Sequence, residues 1–178
     1  LDYARATWPR SVAPGGPVCV GGSGGGANTL ALAGKAPDIF SAAAEWAGIA
    51  DYALWYEGDA ARRYRDEMEV WIGGTPAANP QGYRARGGLH VLANARIPLL
   101  VMHGRRDEAV PFRHAELLQT EAERLGKRNI TFLFSDKGHA SEDWPMILDF
   151  LGARLDPVAL EPAGESSTSQ NARHARKL

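Results

Sequence analysis

Residues 18–28, VCVGGSGGGAN, form a short apolar run that breaks into glycines around one serine. This pattern is typical of a nucleophile elbow, in which a strand turns sharply into a helix and exposes the serine. The serine of such a turn has a strained backbone that requires small neighbours, and Gly21 and Gly25 occupy those positions. The pattern therefore predicts that Ser23 is a nucleophile and that the amide of Gly24 donates a hydrogen bond to the developing oxyanion.

The same glycines permit a second interpretation. Residues 22–27 also satisfy the GxGxxG/A pattern of dinucleotide-binding turns, and Glu45 lies about where a ribose-binding acid would follow. A phosphate-binding P-loop is excluded, because Ala27 and Asn28 stand where a lysine and a hydroxyl residue are required. The turn alone leaves a hydrolase, a dinucleotide-binding domain and a purely structural turn open.

Two later strand ends supply an acid and a base. The apolar run 98–103 is followed by Asp107, and the apolar run 130–134 is followed by a loop that contains His139. Serine, then aspartate, then histidine is the chain order of the catalytic residues in α/β-hydrolases. Because the carboxyl ends of parallel strands meet at one edge of a sheet, the three side chains are expected to converge there. The sequence thus favours a triad of Ser23, Asp107 and His139.

Strands that alternate with amphipathic helices predict an α/β fold with a parallel sheet and helices on both faces. The strand candidates are 18–20, 41–46, 99–103 and 130–134, and helical periodicity recurs at 115–125 and 147–155. An α/β-hydrolase normally has about eight strands, with the nucleophile after the fifth. We therefore expect residues 1–155 to be the carboxyl-terminal half of an α/β-hydrolase domain that lacks the first strands. Residues 156–178 are expected to form a disordered tail.

Four segments resemble the catalytic domain of the prolyl oligopeptidase family of serine peptidases. They are residues 21–25, the GGTP of 73–76 with Asn79, Pro80 and Tyr83, the IPLLVMHGRRDEAVP of 97–111, and Gly138 with His139. The resemblance extends from residue 1 to about residue 155. It implies Ser23 as nucleophile, Asp107 as orienting acid and His139 as general base, and it implies cleavage of peptide bonds through an acyl-enzyme.

Two positions depart from the family pattern. The residue after the nucleophile is commonly tyrosine in this family and is Gly24 here, which keeps the backbone donor. The position two after the acid often carries an arginine or asparagine that binds a substrate carbonyl, and here it is Ala109. A carboxylesterase or acyl hydrolase of the same fold therefore remains open as an alternative to a peptidase.

The expected absence of the first strands has a chemical consequence. The second oxyanion donor of these folds comes from a loop before the elbow, so only the Gly24 amide would remain. Removing one such donor costs about 2.7 to 4 kcal/mol of transition-state stabilisation. We therefore expect the chain alone to be poorly active, and an inactive fragment is a further alternative.

Aromatic residues concentrate in a helical excursion at 51–92, between the second and third strand candidates. The family places an apolar specificity pocket just past the strand next to the elbow. Trp55 and Tyr56 are therefore the candidates for substrate-binding residues. The alternative is that these aromatic side chains only pack the excursion onto the core.

The composition excludes several other kinds of site. The formal net charge of −1 over 178 residues offers no field for nucleic acid or a membrane surface, and no apolar run approaches a membrane span. Cys19 is the single cysteine, and the histidines lack the spacing of metal ligands, so neither a metal nor another cofactor is expected. The expected partner is a small peptide or acyl substrate. A cytoplasmic location is slightly favoured, and the oligomeric state is left open.

Overall fold

The structure is a computed structural model that describes residues 1–9, 16–59 and 61–155. The predicted tail, 156–178, lies outside the described residues. The strands are β1 (Val18–Gly22), β2 (Ala42–Trp46), β3 (Leu99–Gly104) and β4 (Ile130–Ser135). The α-helices are α1 (Asp2–Thr7), α2 (Gly24–Lys35), α3 (Tyr52–Gly58), α4 (Arg65–Ile72), α5 (Pro80–Arg86), α6 (Arg113–Arg124) and α7 (Trp144–Gly152). A 3-10 helix spans Gly88–Asn94.

The four strands form one parallel sheet in the order β1, β2, β3, β4. Val20 pairs with Ala44, Ala44 with Leu100, and Leu100 with Thr131. All four predicted strands are confirmed, and so is the α/β fold with a parallel sheet. Because the strands are parallel and in register, the segments that follow β1, β3 and β4 leave the sheet at the same edge.

The alternating side chains of the central strands create two apolar layers. Ala43, Leu99 and Val101 pack on one face against α2, α6 and the 3-10 helix, whereas Ala44 and Leu100 pack on the other face against α7. The alanines of β2 are completely buried, and such small side chains allow the helices to lie close to the sheet. These layers hold the strand ends, and therefore the loops above them, in fixed positions.

Helix α7 covers the sheet less fully than its sequence predicts. Ile147 and Leu151 are buried against the strands, as the periodicity predicts, but Leu148 is 63% exposed. The helix ends at Gly152, so Leu155 lies beyond it. The buried apolar face of α7 is therefore narrower and shorter in the structure than the sequence predicts.

The segment between β2 and β3 is helical, as predicted, and consists of α3, α4, α5 and the 3-10 helix. Asp51 begins it by capping α3, since its Oδ1 accepts hydrogen bonds from Ala53 N at 2.8 Å and Leu54 N at 3.2 Å. A separate apolar cluster, Met68, Ile72 and Tyr83, packs α4 against α5. None of the described helices combines the length and apolar character needed to cross a bilayer.

Candidate active site

Ser23 lies between β1 and α2 with a left-handed backbone, at φ 55° and ψ −120°. Few residues other than glycine adopt this conformation, which costs on the order of 1–3 kcal/mol. The Ser23 amide donates to the Trp46 carbonyl oxygen at 2.9 Å, so the end of β2 fixes the turn. This strained strand-to-helix turn has the conformation expected of a nucleophile elbow.

The two glycines predicted to make room for the serine have different roles. A Cβ on Gly21 would lie 2.3 Å from the carbonyl oxygen of Gly25, so no side chain fits there. A Cβ on Gly25 would meet nothing within 4 Å. The steric requirement predicted for Gly25 is therefore wrong. Its side-chain position is open, and it is its carbonyl group that confines Gly21.

Asp107 and His139 form a direct pair. His139 Nδ1 lies 2.8 Å from Asp107 Oδ2 and 3.0 Å from Oδ1. Asp107 Oδ1 also accepts hydrogen bonds from the amides of Ala109 and Val110, both at 2.9 Å. The aspartate side chain is completely buried, whereas 38% of the His139 side chain is exposed. A buried carboxylate is therefore paired with an imidazole that is partly exposed.

Backbone contacts fix the spacing between the acid loop, which follows β3 and carries Asp107, and the base loop, which follows β4 and carries His139. Arg106 N donates to the Lys137 carbonyl oxygen at 3.0 Å. A Cβ on Gly104 would lie only 2.2 Å from the Gly138 carbonyl oxygen, so the loop after β4 rests directly on the end of β3. The close approach requires glycine at position 104, and it brings His139 back over the neighbouring strand to Asp107.

The proposed nucleophile, Ser23, and the proposed oxyanion donor, the Gly24 amide, are adjacent at the start of α2. Within the described residues, no hydrogen bond joins Ser23 Oγ to His139. Catalytic hydrogen bonds of this kind are often loose before substrate binds. Gly24 is the first residue of the 12-residue helix α2, and no hydrogen bond from its amide to another described residue is present. The amide and the positive end of the helix are thus available to an oxyanion.

A cavity of about 250 Å³ opens beside Ser23. Its wall includes Trp55, one of the two predicted substrate-binding residues, and also Ala109 from the acid loop. The other lining residues come mainly from β2's exit, α3, α4 and α5: Gly24, Ile49, Tyr52, Tyr64, Glu67, Met68, Trp71, Ile72, Arg86 and Val110. The lining is largely aromatic and apolar, as is usual for a small-molecule site.

Tyr56, the second predicted substrate-binding residue, is not among the residues that line this cavity. Its hydroxyl donates to Glu69 Oε1 at 2.5 Å, and its ring packs edge-on against Tyr83. The hydrogen bond to the Glu69 carboxylate raises the pKa of the Tyr56 hydroxyl. Adjacent positions on a helix point about 100° apart, so Trp55 and Tyr56 face different surroundings. Tyr56 packs within the helical excursion.

Glu45, the ribose-binding candidate of the dinucleotide interpretation, is completely buried in β2. Its Oε2 accepts a hydrogen bond from Gly48 N at 2.9 Å, and its Oε1 has no hydrogen-bond partner. Burial raises the pKa of Glu45 to about 8. A side chain in this position cannot reach a ribose hydroxyl, so nothing in the described site favours a dinucleotide. Among the described residues, no cluster of His, Cys, Asp and Glu could hold a metal ion.

The sequence matches the family model described as the prolyl oligopeptidase family (Peptidase_S9) over residues 11–146. The chain belongs to the prolyl oligopeptidase family. The predicted resemblance is therefore confirmed. A curated relative, the uncharacterized peptidase YtmA of Bacillus subtilis (strain 168), is 30% identical over 119 residues. That match covers 67% of this chain and 44% of the relative, so the chain spans less than half of the relative's length.

Solved structures share the fold. An acylaminoacyl peptidase of Pyrococcus horikoshii has a TM-score of 0.75 at 19% identity, over 86% of this chain and 26% of that one. A puromycin-hydrolyzing peptidase of Mycobacterium tuberculosis has a TM-score of 0.66 at 24% identity, over 83% and 22%. At these identities the likeness shows the fold alone, which confirms the predicted α/β-hydrolase fold.

Several cavity residues were missed by sequence reasoning. Met68 and Ile72 stand four positions apart on α4, and this spacing could have marked one apolar face of that helix. Which neighbour that face meets depends on how α4 folds back toward β2, and no local pattern encodes this. Tyr64 and Trp71 were recognised only as aromatic residues of the excursion, and both line the cavity.

Proposed function

We propose that the natural protein containing this chain is a serine peptidase that uses Ser23, His139 and Asp107 as its catalytic triad. The observation that carries the proposal is the close pair between His139 Nδ1 and the buried Asp107 carboxylate, 2.8 Å apart, at the same sheet edge as the strained Ser23. Family membership supports the same reaction class. A solvated surface histidine would have no comparable buried acid behind it.

The proposed reaction proceeds through an acyl-enzyme. As Ser23 Oγ attacks the substrate carbonyl carbon, His139 Nε2 accepts the hydroxyl proton and Asp107 stabilises the imidazolium. The carbonyl π electrons move to the oxygen, and the Gly24 amide donates a hydrogen bond to the oxyanion. When the intermediate collapses, the bond to the leaving group breaks and His139 returns its proton to that group. A water molecule then releases the acid by the same steps, and the Ser23 hydroxyl is restored.

The substrate is proposed to be a short peptide or another acyl compound with a large apolar side chain next to the scissile bond. The cavity beside Ser23 is lined by Tyr52, Trp55 and Met68, which suit an aromatic or long aliphatic group. The structural relatives named above are an acylaminoacyl peptidase and a puromycin-hydrolyzing peptidase, and the first name describes an acylaminoacyl substrate.

An acyl hydrolase that prefers esters is the second candidate. It is favoured by Ala109, which lines the cavity without a polar side chain that could bind a peptide carbonyl. An ester needs fewer such contacts than an extended peptide does. The relative rates on a peptidyl amide and a matched ester distinguish the two candidates.

The test is labelling of the natural full-length protein with a fluorophosphonate probe, which forms a covalent bond with activated serines. Ser23→Ala is expected to abolish labelling, and Ser41→Ala is the matched control, since Ser41 Oγ donates to the Gly16 carbonyl oxygen instead. His139→Ala and Asp107→Ala should each remove most turnover, and the double variant should lose little more, because the triad acts as a unit. Labelling that persists in Ser23→Ala would refute the assignment.

A further inference from the structure

Glu45 is a buried acid that the proposed reaction does not use. It lies in β2, one residue before Trp46, whose carbonyl oxygen accepts the Ser23 amide at 2.9 Å. The Glu45 side chain is completely buried, and within the described residues its Oε1 has no hydrogen-bond partner. A carboxyl group in such surroundings is costly, because burial removes it from water without replacing all of its hydrogen bonds. Stability alone therefore does not account for glutamate at this position.

The Glu45 side chain closes the loop after β2, residues 47–50. Its Oε2 accepts a hydrogen bond from Gly48 N at 2.9 Å. Between these two residues, Ala47 has a left-handed backbone at φ 50°, which is uncommon for a residue with a side chain. Strained backbone of this kind persists only where the surrounding structure holds it. The Glu45 carboxyl group supplies part of that restraint.

One peptide group joins this loop to the nucleophile elbow. The Trp46 carbonyl oxygen accepts the Ser23 amide, and the Ala47 amide of the same peptide group donates to the Met102 carbonyl oxygen in β3, also at 2.9 Å. The elbow is itself strained, since Ser23 has a φ of 55°. Two strained residues are thus connected through one planar peptide group, and a rotation at Ala47 would move the acceptor that fixes Ser23.

The same carboxyl oxygen lies beside the start of α2. A Cβ on Gly26 would be 2.8 Å from Glu45 Oε2 and 2.9 Å from the Trp46 carbonyl oxygen. A Cβ on Gly48 would be 2.3 Å from Oε2, so both positions require glycine for this close approach. Gly26 stands in the first turn of α2, two residues after Gly24. Glu45 therefore packs between the loop after β2 and the helix end that carries the proposed oxyanion donor.

We propose that Glu45 is a positioning residue that holds the loop after β2 against the first turn of α2, and that it thereby orients the Ser23 hydroxyl and the Gly24 amide toward the substrate. This inference rests on the catalytic role proposed for Ser23. Loss of the Oε2 acceptor leaves the Gly48 amide without its partner and lets the Trp46 carbonyl group turn away from Ser23. A misplacement of about 1 Å can slow a reaction by about 100-fold, so a partial relaxation is expected to cost about tenfold.

The experiment compares three variants of the natural full-length protein. Glu45→Met keeps a long unbranched side chain but removes the acceptor, whereas Glu45→Gln keeps a carbonyl oxygen for the Gly48 amide. Because burial raises the pKa of Glu45 to about 8, the carboxyl group is neutral at pH 7 and glutamine is a close mimic of it. Leu100→Met is the matched control, since it introduces the same side chain at a completely buried strand position that packs against α7.

Hydrogen exchange at the Ser23 amide, resolved by mass spectrometry at pH 7, measures the elbow without any turnover. We expect this exchange to be about tenfold faster in Glu45→Met and close to wild type in Glu45→Gln and Leu100→Met. An unchanged rate in Glu45→Met, or an equal increase in Leu100→Met, would overturn the inference. If Glu45→Met does not fold, Glu45→Asp replaces it, because its carboxyl group stops one methylene short of the Gly48 amide.

The rate of fluorophosphonate labelling then relates this geometry to the chemistry. The maximal labelling rate should fall about tenfold in Glu45→Met, with little change in the probe concentration that gives half of that rate, and Glu45→Gln should restore it. Faster exchange with an unchanged labelling rate would also overturn the inference, since the contact would then be structural only. If wild-type Ser23 is not labelled, the proposed function fails, and the exchange measurement still decides whether Glu45 holds the elbow.

Discussion

Trp55 Nε1 donates a hydrogen bond to the carbonyl oxygen of Ala109, and the two atoms are 2.9 Å apart. This bond connects α3, which forms one wall of the cavity, to the loop that carries Asp107. Asp107 accepts the Ala109 amide in turn, so both sides of the Ala109 backbone are fixed. The cavity wall and the proposed catalytic acid are therefore parts of one hydrogen-bonded unit.

Trp55→Phe should weaken catalysis more than loss of surface area alone explains. The variant keeps an aromatic wall but removes the indole donor, which leaves the Ala109 carbonyl without this partner at a cost of about 1 kcal/mol. Trp71→Phe is the matched control, since Trp71 lines the same cavity and is 64% exposed. We expect kcat/KM to fall about fivefold in Trp55→Phe and to change little in Trp71→Phe. Equal losses in the two variants would show that the hydrogen bond is unimportant.

Ala109→Arg should shift selectivity toward peptides. Ala109 lines the cavity beside Ser23, and an arginine there could bind a substrate carbonyl at a gain of about 1.5–3 kcal/mol. The ratio of kcat/KM for a peptidyl amide to that for a short-chain ester is then expected to rise about tenfold. Glu108→Arg adds positive charge one position earlier and serves as the control. An unchanged ratio in Ala109→Arg would mean that this side chain does not meet the substrate.

Gly21→Ala and Gly24→Ala should have opposite effects on stability. The new methyl group at position 21 would lie 2.3 Å from the Gly25 carbonyl oxygen, and overpacking of this kind costs about 1–3 kcal/mol. At position 24 it would meet nothing within 4 Å, and alanine is the better helix former by about 0.5–1 kcal/mol. Urea unfolding compares the two. Comparable destabilisation by both substitutions would contradict the described elbow geometry.

Glu45 should make the protein less stable as pH rises toward 8. Burial raises the pKa of Glu45 from 4.5 to about 8, so between these values the folded protein holds a proton that the unfolded chain has lost. The free energy of unfolding therefore falls as pH rises through this window, by up to about 1.4 kcal/mol per pH unit for one group. Glu45→Gln, which is always neutral, should flatten this dependence between pH 6.5 and 8. Glu67→Gln changes an exposed carboxylate and should leave the slope as it is in wild type.

His114 should have the opposite effect at lower pH. Burial lowers the pKa of His114 from 6.5 to about 4, and its Nδ1 accepts a hydrogen bond from Asp51 N. The folded protein therefore binds fewer protons than the unfolded chain between pH 4 and 6.5, and stability is lost as pH falls through this range. His114→Gln should remove that loss. Unfolding measured at pH 4.5, 5.5 and 6.5 tests it, and a variant that still parallels wild type would exclude His114 as the cause.

The sequence predicted the strands well because their signal is local. Each strand is a short apolar run bounded by turn residues, and the structure changes only the ends. For example, β1 continues through Gly22 because that residue pairs with Trp46 of β2. A Cβ on Gly22 would lie 2.1 Å from the Trp46 indole, so this position suits glycine. The positions of Ser23, Asp107 and His139 after strands likewise predicted that the three residues lie at one edge of the sheet.

The parts that sequence could not supply depend on contacts between distant segments. Tyr56 was expected in the substrate pocket, yet its hydroxyl bonds to Glu69 and its ring packs on Tyr83. Glu45 was considered for a ligand, yet the neighbouring strands and α2 enclose it completely. Which partners a polar or aromatic side chain finds is decided by the packing of whole elements, and the local pattern is the same in either case.

The positive φ of Ser23 places natural selection for stability in conflict with selection for activity. A glycine at this position would relax the backbone, so the change most damaging to the proposed chemistry is one that thermodynamics favours. In a lineage that no longer needed the reaction, drift would be expected to replace the serine early while the rest of the turn persisted. The proposed nucleophilic role gives a physical reason for serine at a backbone conformation that favours glycine.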